Sequence, residues 1–168
     1  MEVLIFPDAL SLARKSADLV ESQIKAFPDS VIGLATGSTP LGLYEELIMR
    51  HAEHDLSFAQ VKTFNLDEYV GIPSNHPQSY RTFMDKNLFN RIDIDQSNTQ
   101  VPDGMAENPL ATGPAYEKMI EDSGGIDLQI LGVGTDGHIG FNEPTSSLGS
   151  ITRVKTLTQQ TIEDNSRF

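Results

Sequence analysis

Val31-Ile32-Gly33-Leu34-Ala35-Thr36-Gly37-Ser38-Thr39-Pro40 sets a short β-rich run directly before a glycine-containing turn, and Leu43, Tyr44, Leu47 and Ile48 then recur at helical spacing. Strand, tight loop and helix form the elementary unit of an α/β fold. Gly37 lets the backbone turn closely, the Ser and Thr hydroxyls can donate, and Pro40 suits a first helical turn. The loop therefore has the features of an anion site at a helix N-terminus, with phosphate as its natural occupant. A plain capped turn has the same local sequence. No Gly-Lys-Ser/Thr follows and the G-x-G-x-x-G pattern is absent, which disfavours a nucleotide.

Outward from this unit the pattern repeats. Val3 to Phe6 reads as a strand, and Asp8 is placed to cap a helix in which Leu12, Leu19, Val20 and Ile24 recur up to Phe27. A helix from Leu41 to His51 precedes a strand at Val61. Ser79 to Phe89 reads as a helix with Phe83, Leu88 and Phe89 on its inner side, and Asn98 to Val101 as a short strand; Phe64, Phe83 and Phe89 read as core and not as ligand-stacking residues. The stretch from Pro102 to Pro114 reads as a loop, followed by a helix from Ala115 to Glu121 and a buried strand from Ile126 to Gly134. This alternation predicts one α/β domain over residues 1–168, a doubly wound, mainly parallel sheet with helices on both faces, Rossmann-like in form.

The strand from Ile126 runs into Thr135-Asp136-Gly137-His138-Ile139-Gly140-Phe141-Asn142-Glu143-Pro144. Open α/β sheets bind ligands at the carboxyl ends of their strands, so Asp136, His138 and Glu143 are expected to face one pocket. A carboxylate beside an imidazole tends to raise its pKa, and a second can hold or relay a proton, which suits acid–base chemistry near neutral pH. A satisfied loop histidine among solvated acids has the same local pattern. The three could also bind a metal through N and O atoms, but their spacing matches no standard zinc pattern, and metal-free chemistry is preferred. A third strand ends in Leu66-Asp67-Glu68-Tyr69, where neighbouring side chains point to opposite faces, so one carboxylate is expected in the pocket. Asp67 is the chosen candidate for a base that takes a proton from carbon. His51 and His54, three apart with no third ligand nearby, read as solvated.

Ala35 to Pro40, Phe64 to Gly71, His76-Pro77-Gln78-Ser79-Tyr80, Gly132 to Pro144 and Asn165-Ser166-Arg167-Phe168 together resemble the glucosamine-6-phosphate deaminase (glucosamine-6-phosphate isomerase) family, in that family's order and across nearly the whole chain. The resemblance implies conversion of glucosamine 6-phosphate and water to fructose 6-phosphate and ammonia, without a cofactor. It implies Asp67 as the enolising base, and Asp136, His138 and Glu143 for opening of the sugar ring. Gly37, Ser38 and Thr39 would line the phosphate pocket, with Arg167 as a further phosphate ligand from a lid. Ser38 stands where some members carry Gly. Ser146, Arg153 and Lys155 match positions that bind N-acetylglucosamine 6-phosphate in regulated hexameric members, and a homo-oligomer is one of the states the resemblance allows. Two rival readings remain open: a 6-phosphogluconolactonase, whose G-x-D-G-H loop is similar but whose context lacks the F-N-E-P run, and a non-catalytic sugar-phosphate-binding module.

The chain has 168 residues and a formal charge of −12, with no basic cluster, which disfavours a nucleic-acid partner. With no cysteine it has neither disulfides nor a thiolate metal site, and with no signal peptide or apolar run near ~20 residues it is expected to be cytoplasmic and free of the membrane. The chain stops at Phe168 within what reads as the first helix after Thr158, with no Gly or Asn C-cap signal after it, and the family continues further. The 168 residues are therefore expected to be truncated at the C-terminus, with an uncovered sheet edge, low stability, a tendency to associate and little activity.

Overall fold

The computed structural model describes residues 2–165. Four strands form one all-parallel sheet in the order β3-β2-β1-β4. They are β1 (Val31–Leu34), β2 (Lys62–Asn65), β3 (Thr99–Gln100) and β4 (Leu128–Gln129), with Val31 opposite Lys62, Thr63 opposite Thr99 and Ile32 opposite Leu128. Five helices accompany them: α1 (Ala9–Ala26), α2 (Leu41–Glu53), α3 (Tyr80–Asn87), α4 (Pro109–Asp122) and α5 (Gln159–Asn165).

β1 lies in the middle of the sheet and is buried along its whole length, as its uninterrupted apolar run requires. Its side chains alternate. Ile32 and Leu34 enter the larger core with Val20 and Ile24 of α1, Leu43, Tyr44 and Leu47 of α2, and Met84 of α3. Val31 enters a smaller one with Phe64 and with Tyr116 of α4. Helices thus cover both faces. Arg50 of α2 joins α1 through Asp18 at 2.8 Å and Glu21 at 2.6 Å.

Two buried tyrosines tie these helices to the ends of the strands. The Tyr44 hydroxyl donates to the Ala35 carbonyl, just past β1. The Tyr116 hydroxyl meets the carbonyl oxygens of Asn65 and Gln100 at 2.8 and 3.1 Å, at the ends of β2 and β3. The C-terminal edge of the sheet, where ligands bind in such folds, is thereby fixed from both faces.

Several sequence expectations need correction. Val3 to Phe6 forms no strand; Val3 and Ile5 are 68% and 91% exposed, and β-propensity without a neighbouring ladder leaves the backbone unpaired. The run from Ile126 to Gly134 pairs with β1 only over Leu128 and Gln129, which are half-buried. It is the edge of the sheet among the described residues, so its apolar Leu131 and Val133 stay exposed. α4 starts at Pro109, not Ala115, because proline is well suited to a first helical position; Pro114 then sits inside the helix. Beside it, a Cβ on Gly113 would lie 2.1 Å from the Thr152 carbonyl oxygen, so the glycine admits the crossing chain. α3 ends at Asn87, and Phe89–Arg91 form a separate 3-10 turn.

Candidate active site

The loop after β1 and the start of α2 form one wall of a cavity of about 170 Å³. Gly37 has φ 102°, a left-handed conformation that glycine adopts without strain. The turn leads through Ser38, Thr39 and Pro40 into α2, whose first amides have no side-chain cap. Amides at a helix N-terminus attract anions, although here the Leu41 N–H also reaches the Ser38 carbonyl at 3.4 Å.

Asp67 and Tyr80 line the same cavity, as do Gly134, His138 and Phe141. Of the adjacent acids, Asp67 faces this cavity while Glu68 turns toward α3. Asp67 is raised to about 7 by burial, then by the nearby Glu68 carboxylate, with His138 acting in the opposite direction. A carboxyl in that range is suited to exchange protons at neutral pH.

His138 sits in a tightly folded loop. Gly134 N–H donates to the His138 carbonyl at 2.8 Å, Gly137 N–H donates to the Gly134 carbonyl at 3.0 Å, and Gly137 has φ 90°. The imidazole Nδ1 lies 2.7 Å from Asp136 Oδ1, which also accepts the His138 backbone N–H at 3.0 Å. That backbone hydrogen bond is the largest influence holding the Asp136 carboxyl below its ordinary range. An anionic partner at Nδ1 directs the other ring nitrogen toward reactive use.

Asp136 and Glu143 stand behind His138 and do not line the cavity themselves, which corrects the expectation that all three face it. The entry to α5 holds them: Thr161 Oγ1 donates to Asp136 Oδ2 at 3.3 Å, and Thr158 N–H donates to buried Glu143 at 2.8 Å. Ligand atoms of Asp136, His138 and Glu143 fall within 4.8 Å of one another, close enough to share an ion as well as a proton.

A sequence profile described as glucosamine-6-phosphate isomerases/6-phosphogluconolactonase matches residues 7–143. The chain belongs to this family. Over all 168 residues it is 59% identical to a glucosamine-6-phosphate deaminase of Cellvibrio japonicus and 56% identical to that of Shewanella loihica, covering 64% and 63% of those proteins. The chain thus spans just under two thirds of the length of these curated relatives. A solved monomeric glucosamine-6-phosphate deaminase matches with a TM-score of 0.98 at 42% identity, over 99% of this chain and 69% of that one. A 6-phosphogluconolactonase from Thermotoga maritima matches more distantly, with a TM-score of 0.65 at 25% identity over 82% and 61%.

In this member of the glucosamine-6-phosphate isomerase/6-phosphogluconolactonase family, the residues that sequence reasoning left without a role are aromatic. Tyr80 stacks on Phe141 with ring centroids 6.3 Å apart, Phe141 lies 5.8 Å from the His138 ring, and the Tyr69 and Tyr80 hydroxyls meet at 3.0 Å. Burial, then the Asp67 charge, pushes the Tyr80 phenol far up, so it remains a proton donor. The signal was faint: Tyr80 closes the quoted His76–Tyr80 motif, but nothing local shows that it reaches Phe141. His51 also departs from expectation. It is half-buried, with Nδ1 2.7 Å from the Leu56 carbonyl, and His54 is exposed. Arg167 lies outside the described residues. Lys155 Nζ donates to Ser146 Oγ at 3.1 Å, while Arg153 donates to Asn142 Oδ1 at 3.0 Å, and both cations border a second cavity of about 400 Å³.

Gly134 offers a direct handle on the imidazole. A Cβ there would lie 2.2 Å from His138 Cε1, so Gly134→Ala must push the ring from its place. Turnover is expected to fall about 10²-fold, the scale of a 1 Å misplacement, with substrate binding largely kept. Steady-state kinetics checks this; wild-type kcat would show that the ring position does not matter.

Proposed function

We propose that this chain carries the catalytic part of a glucosamine-6-phosphate deaminase. One observation carries the reading: Asp67 and His138 border a single cavity that the 36–39 loop before α2 also lines. Relatives named for this activity, at 52% identity or more, support it.

The substrate dictates the order of events. Its phosphate would sit on the amides and hydroxyls of Gly37, Ser38 and Thr39, with Arg167 as a further ligand, which leaves the sugar extending toward the strand ends. The ring must open before carbon 2 becomes acidic, so a proton has to move from the anomeric hydroxyl to the ring oxygen. His138, backed by Asp136 and Glu143, performs that transfer. Asp67 then takes the carbon-2 proton to give an enolamine. Protonation at carbon 1 yields a ketimine, and water releases ammonia and fructose 6-phosphate. Each positioned acid or base contributes roughly 10²–10⁴-fold, and phosphate anchorage adds orientation. Ser146, Arg153 and Lys155 are assigned to regulation by N-acetylglucosamine 6-phosphate, tested by activity with and without that compound.

The full-length protein is expected to release ammonia from glucosamine 6-phosphate and to leave 6-phosphogluconolactone hydrolysis at its background rate. Lactone hydrolysis without ammonia would favour the lactonase reading. Sugar-phosphate binding without turnover would leave a binding module.

A further inference from the structure

We infer that Glu68 is a positioning residue that fixes Asp67 and Tyr80 together at the cavity by joining the loop after β2 to the N-terminus of α3. Its Oε1 accepts the backbone N–H of Tyr69 at 2.9 Å and of Tyr80 at 3.1 Å, and its Oε2 accepts that of Arg81 at 3.1 Å. A helix begins with four N–H groups that lack intrahelical partners. In α3 two of these, on Tyr80 and Arg81, are met by Glu68. The N–H of the capping Ser79 donates to the His76 carbonyl at 3.0 Å, and that of Thr82 to the Ser79 side chain at 3.0 Å. All four are satisfied, half of them by a side chain 12 and 13 residues earlier in the chain. The negative charge also lies at the positive end of the helix, where it is stabilising.

The same loop is held from its other side. Gly71 N–H donates to the Gly104 carbonyl at 2.7 Å, and a Cβ on Gly104 would stand 2.4 Å from the Tyr69 carbonyl oxygen. The segment that follows Asp67 is therefore clamped between α3 and the 102–104 loop. Asp67 is joined directly to Glu68 and Tyr80 is bound to it, so one carboxylate sets both cavity-facing groups. Around Asp67, the Glu68 charge disfavours ionisation, His138 favours it, and Tyr80 of α3 and Tyr116 of α4 are the phenols within its field.

This inference rests on the reading of Asp67 as the enolising base. In the full-length protein, Glu68→Gln removes the charge and one of the two acceptor oxygens. Its kcat is expected to fall about tenfold or more with KM within about twofold, because the base is displaced and the phosphate loop is not. The midpoint of the acidic limb of the pH–rate profile should move roughly half to one unit lower, since a like charge has been removed. Glu68→Asp keeps the charge but draws it back from the helix, so its kcat should fall with the midpoint unmoved. A loss of thermal stability alone, with wild-type kcat and midpoint in Glu68→Gln, overturns the inference; if that variant does not fold, wild-type kcat in Glu68→Asp does so. Asp67→Asn serves as the control: retained carbon-2 exchange there defeats the base assignment, whereas a dead Asp67→Asn beside a wild-type-like Glu68→Gln defeats only the role of Glu68.

Discussion

Asp67→Asn is expected to leave the fold intact and to cut both deamination and carbon-2 exchange by roughly 10²–10⁴-fold, the range for loss of a positioned base. Asparagine keeps the size and the hydrogen-bonding oxygen but cannot accept the proton. The wild type carries a matching pH signature. With Asp67 raised to about 7, the active carboxylate form increases as pH rises through that value, so kcat/KM should rise to a plateau above it. Stability runs the opposite way. Folded Asp67 keeps its proton to about pH 7, whereas an unfolded aspartate loses it near ~3.9, so the folded state binds more protons between these values. Stability contributed by this group is therefore complete below about pH 4 and declines up to about pH 7. Asn cannot ionise, so Asp67→Asn should be the more stable protein at pH 8, by roughly 1–3 kcal/mol once water in the cavity is allowed for, with less difference at pH 4. Denaturant melts at the two pH values measure this, and equal differences at both would contradict a raised Asp67.

His138→Gln is expected to slow the cyclic substrate by about 10²-fold or more while partly sparing an analogue held in its open-chain form. Glutamine can hydrogen-bond to Asp136 but cannot carry a proton between the anomeric hydroxyl and the ring oxygen. Ring opening should therefore become limiting. Equal losses with both substrates would place His138 elsewhere in the reaction.

The central unit was legible because its constraints are local. Val31 to Leu34 is apolar throughout and lies in the middle of the sheet, Gly37 is needed at φ 102°, and the period of Leu43, Tyr44 and Leu47 is that of a helix packed on one side. Asp8 likewise caps α1 as expected, with a side chain that accepts the amide of Ser11. The errors came where partners are remote or missing from the local pattern. Val3 to Phe6 has the composition of a strand and no neighbour to pair with among the described residues, and Ile126 to Gly134 is apolar enough for a central strand but occupies an edge. Pro109 reads as a break until its place at the start of α4 is known.

The site shows the same division. His138 and Asp136 are two residues apart, so their pairing at 2.7 Å could be anticipated. The retreat of Glu143 from the cavity depends on Thr158, 15 residues on, and the direction of Glu68 depends on α3. Neither contact has a local signature. The Asp127 side chain that accepts Val31 N–H at 2.8 Å spans 96 residues and joins the two segments that lead into the 36–39 loop and the His138 loop.

Proton exchange at carbon 2 tests the central claim most directly. Glucosamine 6-phosphate turned over by the full-length protein in deuterium oxide can be followed by proton NMR. The expected result is loss of the carbon-2 hydrogen from the substrate as ammonia appears, with solvent-derived deuterium reaching carbon 1 of the fructose 6-phosphate formed. Deamination that leaves the carbon-2 hydrogen in place, or binding with neither exchange nor ammonia, would contradict an enolising site built on Asp67.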